Sequence, residues 1–220
     1  MDKYAIIVAG PSGAGKTTVA EGLIASLGTL EMSRSATTRA KRGDGKDDEY
    51  VYLSVEEFEN SIAKGEVLEY TNYSGNYYGT RKCELDRIWD MDKNPILVLD
   101  YNGVKSLKEK LDCPVYAIYV YTSLEEAKRR LCKRDEISGP TEKSRETIVK
   151  RVKENVADYK KLYTMAELFD YYAENKNVTS CIEDVKRAVD KLAGGREPME
   201  LVEKLKITNT FRSMAANFAE

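Results

Sequence analysis

The sequence has no histidine, and its four cysteines stand alone. Without histidine the chain lacks every Ser–His and Cys–His catalytic pair and most zinc-binding arrangements. No Cys-x-x-Cys pair occurs, so we expect the cysteines to be reduced thiols that pack as small apolar side chains. These absences exclude the commonest nucleophilic and zinc-dependent mechanisms.

Long apolar runs and a charge excess are also missing. No segment approaches the length of a membrane span, and residues 1–4 lack the cationic and apolar regions of a signal peptide. Lysine plus arginine number 35 and aspartate plus glutamate 37, which gives a formal net charge of −2. This balance offers no general attraction to nucleic acid or to an anionic membrane. We therefore expect a cytoplasmic protein that binds neither.

The chain does have enough apolar residues for one core. Its 220 residues, 42% of them hydrophobic, favour one domain of ordinary size with room for a small insert. Short apolar runs alternate with helical stretches, which predicts an α/β fold with a mostly parallel sheet flanked by helices. Ligands of such a sheet bind at the carboxyl ends of its strands. Residues 35–80 are denser in turns and predict a small β-rich insert.

The most specific pattern is the stretch GPSGAGKT at residues 10–17. It fits G-x-x-x-x-G-K-[ST], follows a strand-like run at residues 4–9, and precedes a helical stripe that ends at Gly28. Backbone N–H groups and the helix N-terminus would face an anion there. Lys16 would neutralise the β- and γ-phosphates, and the Thr17 hydroxyl would ligate Mg²⁺. The pattern predicts a triphosphate site but does not say where the γ-phosphate goes.

Helix and strand signals continue along the chain. Ser54 with Glu57, and Ser123 with Glu126, are capping-box patterns that predict helix starts. Beyond the insert, helices are predicted near residues 82–90, 102–110, 142–165 and 178–192, and strands near 96–99, 115–121 and 168–173.

Two segments lie outside this alternation. Residues 134–145 are charged and broken by Gly139-Pro140, which predicts a mobile loop. After Gly194 one more amphipathic segment follows, with Leu201, Val202 and Leu205 as its apolar residues. Its role stays open between a docked helix, a dimer contact and a partly disordered end.

The insert carries a second group of candidate ligands. Arg39, Arg42, Tyr50 and Tyr78 are suited to surround another phosphate, because arginine binds phosphate oxygens bidentately and tyrosine donates one short bond. From composition alone, a solvated loop with packed tyrosines is at least as good an interpretation.

Several motifs together resemble the guanylate kinase family: GPSGAGKT, SATTR at 35–39, Tyr50, LE at 68–69, GNYYGT at 75–80 and GVK at 103–105. The resemblance covers residues 5–192. It implies a P-loop kinase fold and transfer of the γ-phosphoryl of ATP to GMP, giving GDP and ADP. We expect dGMP to be accepted too, because no candidate residue reads the ribose 2′-hydroxyl. The resemblance also implies a domain at 1–193 with a GMP-binding insert at 35–80 and a lid at 134–145. Residues 194–220 would be an extension.

The resemblance implies roles residue by residue. Side chains on the GMP phosphate would be Arg39, Arg42, Tyr50 and Tyr78, and those on the guanine edge Ser35, Glu69 and Thr80. The chemistry of guanine agrees independently. Its N1–H and N2 amine are adjacent donors that Glu69 can accept together, and its O6 suits the hydroxyls of Ser35 and Thr80.

Asp100 has two possible roles. It ends an apolar strand, the usual place for a carboxylate near the Mg²⁺ of a phosphate loop. The family carries two aspartates in this region, whereas here alignment through Gly103-Val104 leaves Val98 at the first position. A short deletion would instead make Asp100 the first of the two. Asp100 is therefore a candidate both for the metal shell with Thr17 and for the GMP site, and the choice between them stays open.

The remaining implied roles concern ATP. Its site would include Gly10, Ser12, Gly13, Ala14, Gly15, Lys16, Thr17, Thr18, Arg134 and Asn175. Charge stabilisation, rather than a covalent nucleophile, drives phosphoryl transfer, so the catalytic residues would be Lys16, Arg39, Arg134 and Arg151.

Three nearby residues keep other interpretations. For Arg130 and Lys133, a solvated helix face is the favoured one. For Asn175, which resembles the family position near the adenine of ATP, helix capping is an alternative role.

Two other functions compete with the kinase. A non-catalytic guanylate-kinase-like binding module would keep the fold, but it has no need to retain Lys16, Thr17 and the lid arginines together. A P-loop kinase for another phosphorylated acceptor would not need the guanine-reading set. The oligomeric state is not predicted.

Overall fold

The structure is a computed structural model and describes residues 2–41, 48, 50–73 and 75–218. The chain divides into two compact units. The first, here the insert unit, comprises residues 1–7 and 24–115, and the second, the loop unit, comprises residues 8–23 and 116–220.

Strands and helices alternate along most of the described chain. In chain order they are β1 (Ala5–Ala9), α1 (Lys16–Leu27), β2 (Leu30–Met32), β3 (Ser35–Thr37), β4 (Tyr50–Tyr52), α2 (Val55–Ala63), β5 (Val67–Tyr73), β6 (Asn76–Arg81), α3 (Lys82–Asp90), β7 (Asn94–Val98), α4 (Tyr101–Lys110), β8 (Val115–Tyr121), α5 (Leu124–Ser138), α6 (Glu142–Lys161), a 3₁₀ segment (Leu162–Leu168), β9 (Tyr171–Glu174), α7 (Val178–Ala193) and α8 (Leu201–Asn217).

The strands form two sheets. One has the order β2-β7-β1-β8-β9, with β2–β7 and β8–β9 parallel. The other has the order β4-β3-β6-β5 and is mixed, because β3 pairs parallel with β4 but antiparallel with β6, which in turn pairs antiparallel with β5. The predicted α/β fold and the β-rich character of residues 35–80 are confirmed.

Local sequence signals explain where several helices begin and end. The Ser54 hydroxyl accepts from the Glu57 N–H while the Glu57 carboxylate accepts from the Ser54 N–H, so the predicted capping box of α2 is confirmed. Gly28 follows α1 with φ +65°, a conformation that favours glycine. Ser123 caps α5 as predicted. Glu126 was predicted to complete that box, but its carboxylate instead pairs with the arginines at 129 and 130.

The predicted loop at 134–145 is wrong as secondary structure. α5 continues through Ser138 and α6 begins at Glu142, so residues 139–141 alone connect them. The charged residues from 134 to 138 include no helix breaker, and the turn comes at Gly139, whose φ is +85°. Whether this segment acts as a lid stays a prediction.

The end of the long predicted helix also differs from the prediction. α6 ends at Lys161, and the chain tightens into the 3₁₀ segment before β9 begins at Tyr171 rather than at residue 168. Met165 lies inside the 3₁₀ segment with non-helical φ and ψ. This kink turns the chain before β9 and shortens the strand.

The segment after Gly194 is a docked helix. α8 packs on α6, on the 3₁₀ segment and on β9. Its predicted apolar face was wrong, because Leu201 and Val202 are exposed. The buried residues recur instead at positions 204, 208, 211 and 215, the spacing of one helix face.

Phe211 is the centre of this docking. Its side chain is fully buried and stacks on Tyr159, with ring centroids 4.7 Å apart and planes at 21°. Tyr121, Tyr119 and Tyr172 surround the same ring. An aromatic cluster therefore joins α8 to α6 and to strands β8 and β9.

Among the described residues, no helix combines the length and the apolar character that crossing a membrane requires.

Candidate active site

The phosphate loop lies between β1 and α1 in the loop unit. A Cβ on Gly10 would stand 2.0 Å from the Val120 carbonyl oxygen, and one on Gly13 would stand 2.6 Å from the Ala127 carbonyl oxygen. Both glycines also have positive φ, +145° and +86°. The loop backbone therefore packs directly on β8 and α5, in a conformation that other residues rarely adopt.

Lys16 opens α1 and turns back over the loop. Its Nζ donates to the carbonyl oxygens of Gly10 and Pro11, at 2.8 Å and 3.0 Å. The pKa of Lys16 is lowered to about 8, mainly by burial and also by the charges of Arg151 and Arg134, while Asp158 opposes the shift. The ammonium therefore lies in a desolvated place where positive charges outnumber negative ones.

Two predicted catalytic arginines share this electrostatic environment. Burial lowers the pKa of the Arg134 guanidinium, and the charge of Arg151 adds to that effect. Three cations that repel one another in a partly desolvated place are suited to a polyanion, whose binding would relieve the repulsion. The structure thus brings Lys16, Arg134 and Arg151 together within one unit.

Asn155 of α6 holds the loop by its backbone. Its Oδ1 accepts from the Ser12 N–H at 2.8 Å, and its Nδ2 donates to the Ser12 carbonyl oxygen at 2.9 Å. Asn155 was not among the residues predicted from the sequence. The available signal was its place on the buried stripe of α6, three residues after Val152 and four before Tyr159, because a polar residue there needs partners.

Asn175 and Arg130 hold the next carbonyl along the loop. Asn175 Nδ2 donates to the Ala14 oxygen at 2.7 Å. Arg130 Nη1 donates to the same oxygen at 3.4 Å, and its Nη2 donates to the backbone carbonyl oxygen of Asn175 at 2.9 Å. The solvated-face interpretation of Arg130 is therefore wrong. So is helix capping by Asn175, because Asn177 caps α7.

One acceptor of this group stays open. Asn175 is 2% exposed, and its Oδ1 is buried without a hydrogen-bond partner among the described residues. Since an unpaired buried carbonyl costs free energy, a donor on a ligand would satisfy it.

The predicted guanine-reading residues lie on three strands of the insert unit. β5 and β6 place Glu69 directly opposite Thr80, and the Thr80 hydroxyl donates to Glu69 Oε1 at 2.6 Å. Ser35 opens β3, opposite Tyr50 of β4. Because a hydroxyl has one hydrogen, Thr80 orients Glu69 here and would have to release it to donate to a guanine O6.

Glu69 is a carboxyl group in an environment that disfavours its ionised form. Burial raises its pKa, and the nearby charge of Asp100 raises it further, while the Thr80 hydrogen bond and Lys110 lower it. Donors placed at this carboxylate would stabilise its ionised form. The geometry therefore favours a ligand with N–H groups.

Asp100 has a structural role besides any ligand role. It is the N-cap of α4, where its Oδ1 accepts from the Gly103 N–H at 2.9 Å. Its side chain is exposed, and its charge contributes to the raised pKa of Glu69. Among the described residues no group of three or more acidic residues or cysteines could hold a metal ion by itself.

The predicted phosphate-binding side chains of the insert unit form a cluster. The Arg39 guanidinium lies 5.4 Å from the centre of the Tyr50 ring, and its Nη2 donates to the Tyr52 hydroxyl at 3.2 Å. The rings of Tyr50 and Tyr78 meet edge to face, 6.3 Å apart. Tyr52 was not among the predicted ligands. Arg42 lies outside the described residues.

A buried ion network adjoins Ser35. Glu84 is 5% exposed and accepts hydrogen bonds from the Arg34 N–H, from the Arg34 guanidinium and from Arg87. Burial opposes ionisation, but the bonds from Arg87 and Arg34 together lower the pKa of Glu84 to about 2. This network fixes the residue that precedes β3, and no sequence motif indicated it.

Comparisons with known proteins all identify the same family. The family model for guanylate kinases matches residues 2–192. The chain is 38% identical to the guanylate kinase of Porphyromonas gingivalis, over 84% of this chain and 95% of that protein. It is 34% identical to that of Clostridium perfringens, over 82% and 80%, and 31% identical to that of Clostridioides difficile, over 91% and 95%.

A solved structure shows the same fold. The guanylate kinase of Anaplasma phagocytophilum superposes with a TM-score of 0.58 and covers 84% of each chain, at 24% sequence identity. At that identity the likeness supports the fold alone.

Proposed function

The chain belongs to the guanylate kinase family, and we propose that it transfers the γ-phosphoryl of ATP to GMP, giving GDP and ADP. The observation that carries this proposal is the set of mutually repelling cations at the phosphate loop, Lys16, Arg134 and Arg151. A binding module that no longer bound a triphosphate would have no need to keep these three cations together at the loop. Family membership then identifies the acceptor as GMP.

On the donor side, the loop N–H groups and Lys16 bind the phosphates of ATP. To do so Lys16 leaves the carbonyls of Gly10 and Pro11, and the phosphate charge stabilises its protonated form. Arg134 and Arg151, joined by Arg39, stabilise the charge that spreads over the transferring phosphoryl group.

Further residues complete the donor site. The buried Oδ1 of Asn175 accepts from the N6 amine of adenine, which removes its unpaired state. The predicted members Gly10, Gly13, Ala14, Gly15 and Thr18 contribute mainly their backbone. Thr17 adds its hydroxyl, and Ser12 can offer only its hydroxyl, because its N–H already donates to Asn155.

Mg²⁺ accompanies ATP in this proposal. Thr17 carries an exposed hydroxyl in the first turn of α1, and Asp100 offers the carboxylate oxygen that does not cap α4. One or two protein oxygens fit Mg²⁺, which keeps several waters and takes its other ligands from nucleotide phosphates. When bound, the ion would neutralise part of the charge of the triphosphate.

On the acceptor side, Glu69 accepts from the N1–H and N2 amine of guanine while Ser35 and Thr80 face O6. Arg39, Arg42, Tyr50 and Tyr78 bind the phosphate of GMP. The effect of Asp100 on the pKa of Glu69 favours a place for Asp100 beside the guanine amine as well. No named residue reads the ribose 2′-hydroxyl, so dGMP is also a substrate.

The remaining parts of the proposal concern closure and location. The guanylate-kinase-like part of the chain is residues 1–193, with α8 docked on it, and its segment 134–145 closes over the nucleotides to exclude water. The enzyme works in the cytoplasm, where ATP and GMP are found.

An ADP-release assay with ATP, Mg²⁺ and a panel of acceptors tests this function. We expect release that depends on GMP, with GDP as the detected product. GMP binding without any ADP release would support the binding-module alternative. Release that depends on a sugar phosphate and not on GMP would support a kinase for another acceptor.

A further inference from the structure

α6 carries one polar side chain on its buried stripe. Val152, Val156 and Tyr159 pack inward, and between them Asn155 is 2% exposed. Burying an amide without partners costs free energy. Here both ends of the amide have partners, and both partners belong to one residue of the phosphate loop.

The amide of Asn155 closes a ring with the backbone of Ser12. One bond fixes the Ser12 N–H and the other its carbonyl, so the peptide groups on both sides of Ser12 are oriented by a side chain from another element. Replacement of the amide by a methyl group would remove both of these bonds and leave the partly buried Ser12 N–H and carbonyl without them.

The loop needs such an external restraint. Gly10 and Gly13, on either side of Ser12, have no Cβ and adopt positive φ, so the local sequence restricts the backbone little. Catalysis by phosphoryl transfer depends on donors that are already placed where the charge develops.

Asn155 stands on a fixed support. One turn later, the Tyr159 hydroxyl donates to the Thr122 carbonyl oxygen at 2.5 Å, and the Tyr159 ring stacks on Phe211 of α8. The part of α6 that carries the amide is therefore tied to the end of β8 and to the C-terminal helix.

We propose that Asn155 is a positioning residue that holds the phosphate loop in its ATP-binding conformation before the nucleotide arrives. It acts on the donor side and not on GMP. The kinetic part of this inference rests on the proposed function, because it takes ATP as the ligand of the loop.

The kinetic test uses Asn155→Ala, with the neighbouring exposed Glu154→Ala as the matched control. We expect the KM for ATP to rise about tenfold, a change of about 1.4 kcal/mol, while the KM for GMP stays within about twofold. Asn155→Asp keeps one acceptor but sets a negative charge against the Ser12 carbonyl, so its KM for ATP should rise at least as much. Equal rises in both KM values would overturn the proposal.

A second readout needs no catalysis. In the nucleotide-free chain, backbone hydrogen exchange over residues 10–15 should quicken about tenfold in Asn155→Ala, while exchange over β8 stays as in the parent chain. Asn155→Leu, which keeps the volume without the hydrogen bonds, should do the same if the alanine variant folds poorly. Unchanged loop exchange in both variants, or faster exchange everywhere, would contradict the positioning role.

These two readouts separate the two proposals. If the parent chain does not phosphorylate GMP but loop exchange still quickens selectively, the proposed function fails and the positioning role stands. If the parent chain is an active kinase and neither readout changes, only the positioning role fails.

Discussion

In the loop unit, buried side chains form hydrogen bonds to the backbone of the phosphate loop. In the insert unit, the candidate ligands are side chains that interact with neighbouring side chains. Asn155 and Asn175 hold the peptide groups of Ser12 and Ala14 by hydrogen bonds. By contrast, Glu69 is held by Thr80, and Arg39 by the ring and hydroxyl of neighbouring tyrosines.

This difference matches the two ligands that we propose. A triphosphate presents the same oxygens whatever its base, so a rigid backbone cradle serves it well. GMP must be told apart from AMP by its base, and that requires side chains whose hydrogen bonds can be exchanged for those of guanine. In this proposal the loop unit would provide charge stabilisation and the insert unit would provide selectivity.

The largest effect should come from breaking the loop side with Lys16→Ala. The variant should lose about 10³-fold or more in kcat, because Lys16 is the loop's own cation on the transferring group. The dissociation constant for GMP, measured by calorimetry, should change little, since Lys16 binds only donor phosphates. Lys41→Ala, an exposed lysine of the insert unit, serves as the control. Turnover close to that of the parent enzyme would refute the assignment of Lys16.

Breaking the insert side with Glu69→Ala should change selectivity instead. We expect kcat/KM for GMP to fall about 10³-fold, since two hydrogen bonds to a charged acceptor are lost. AMP should gain little, because Ser35 and Thr80 remain mismatched to its amine. Glu56→Ala, an exposed carboxylate on α2, is the control. Unchanged GMP kinetics in Glu69→Ala would remove it from the guanine site.

The sequence predicted the elements and the chemistry that depend on local patterns. The phosphate loop and the Ser54 capping box follow from motifs whose residues act together, and the grouping of Ser35, Glu69 and Thr80 follows from the family motifs, whereas the hydrogen bond between Thr80 and Glu69 was not predicted. Arg130, Asn155 and Glu84 were misjudged or missed because their partners lie far along the chain. For the same reason the predicted buried face of α8 was wrong, since the aromatic cluster that receives Phe211 is assembled from β8, α6 and β9.

The packing of α8 on the loop unit can be disrupted by mutation. Phe211→Ala should lower the free energy of unfolding by about 3–5 kcal/mol, because it leaves a cavity among stacked rings. Urea unfolding of the full chain, followed by circular dichroism, measures the loss. Phe218→Ala, a half-buried ring at the end of α8, should cost about 1 kcal/mol or less. Equal losses in the two variants would mean that α8 is not docked through Phe211.

The ion network around Glu84 in the insert unit should make a smaller, pH-dependent contribution to the free energy of unfolding. The pKa of Glu84 is about 2 in the folded chain against an ordinary 4.5, so its stabilisation is present above pH 4.5 and is lost as the pH falls towards 2. Between pH 7 and pH 3 this loss amounts to about 2 kcal/mol. Unfolding free energies of the parent chain and Glu84→Gln should therefore converge by that amount on acidification. Parallel pH curves would contradict the ion network.

The most direct test of the whole account compares four acceptors, GMP, dGMP, IMP and AMP, in the same ATP-dependent assay. IMP keeps O6 and the N1–H of guanine but lacks its N2 amine, and AMP reverses the character at position 6. The account predicts the highest kcat/KM for GMP, a similar value for dGMP, an intermediate value for IMP, and a value about 10⁴-fold lower for AMP. Equal values for GMP and AMP would contradict the guanine site, and equal values for GMP and IMP would show that Glu69 does not read the amine.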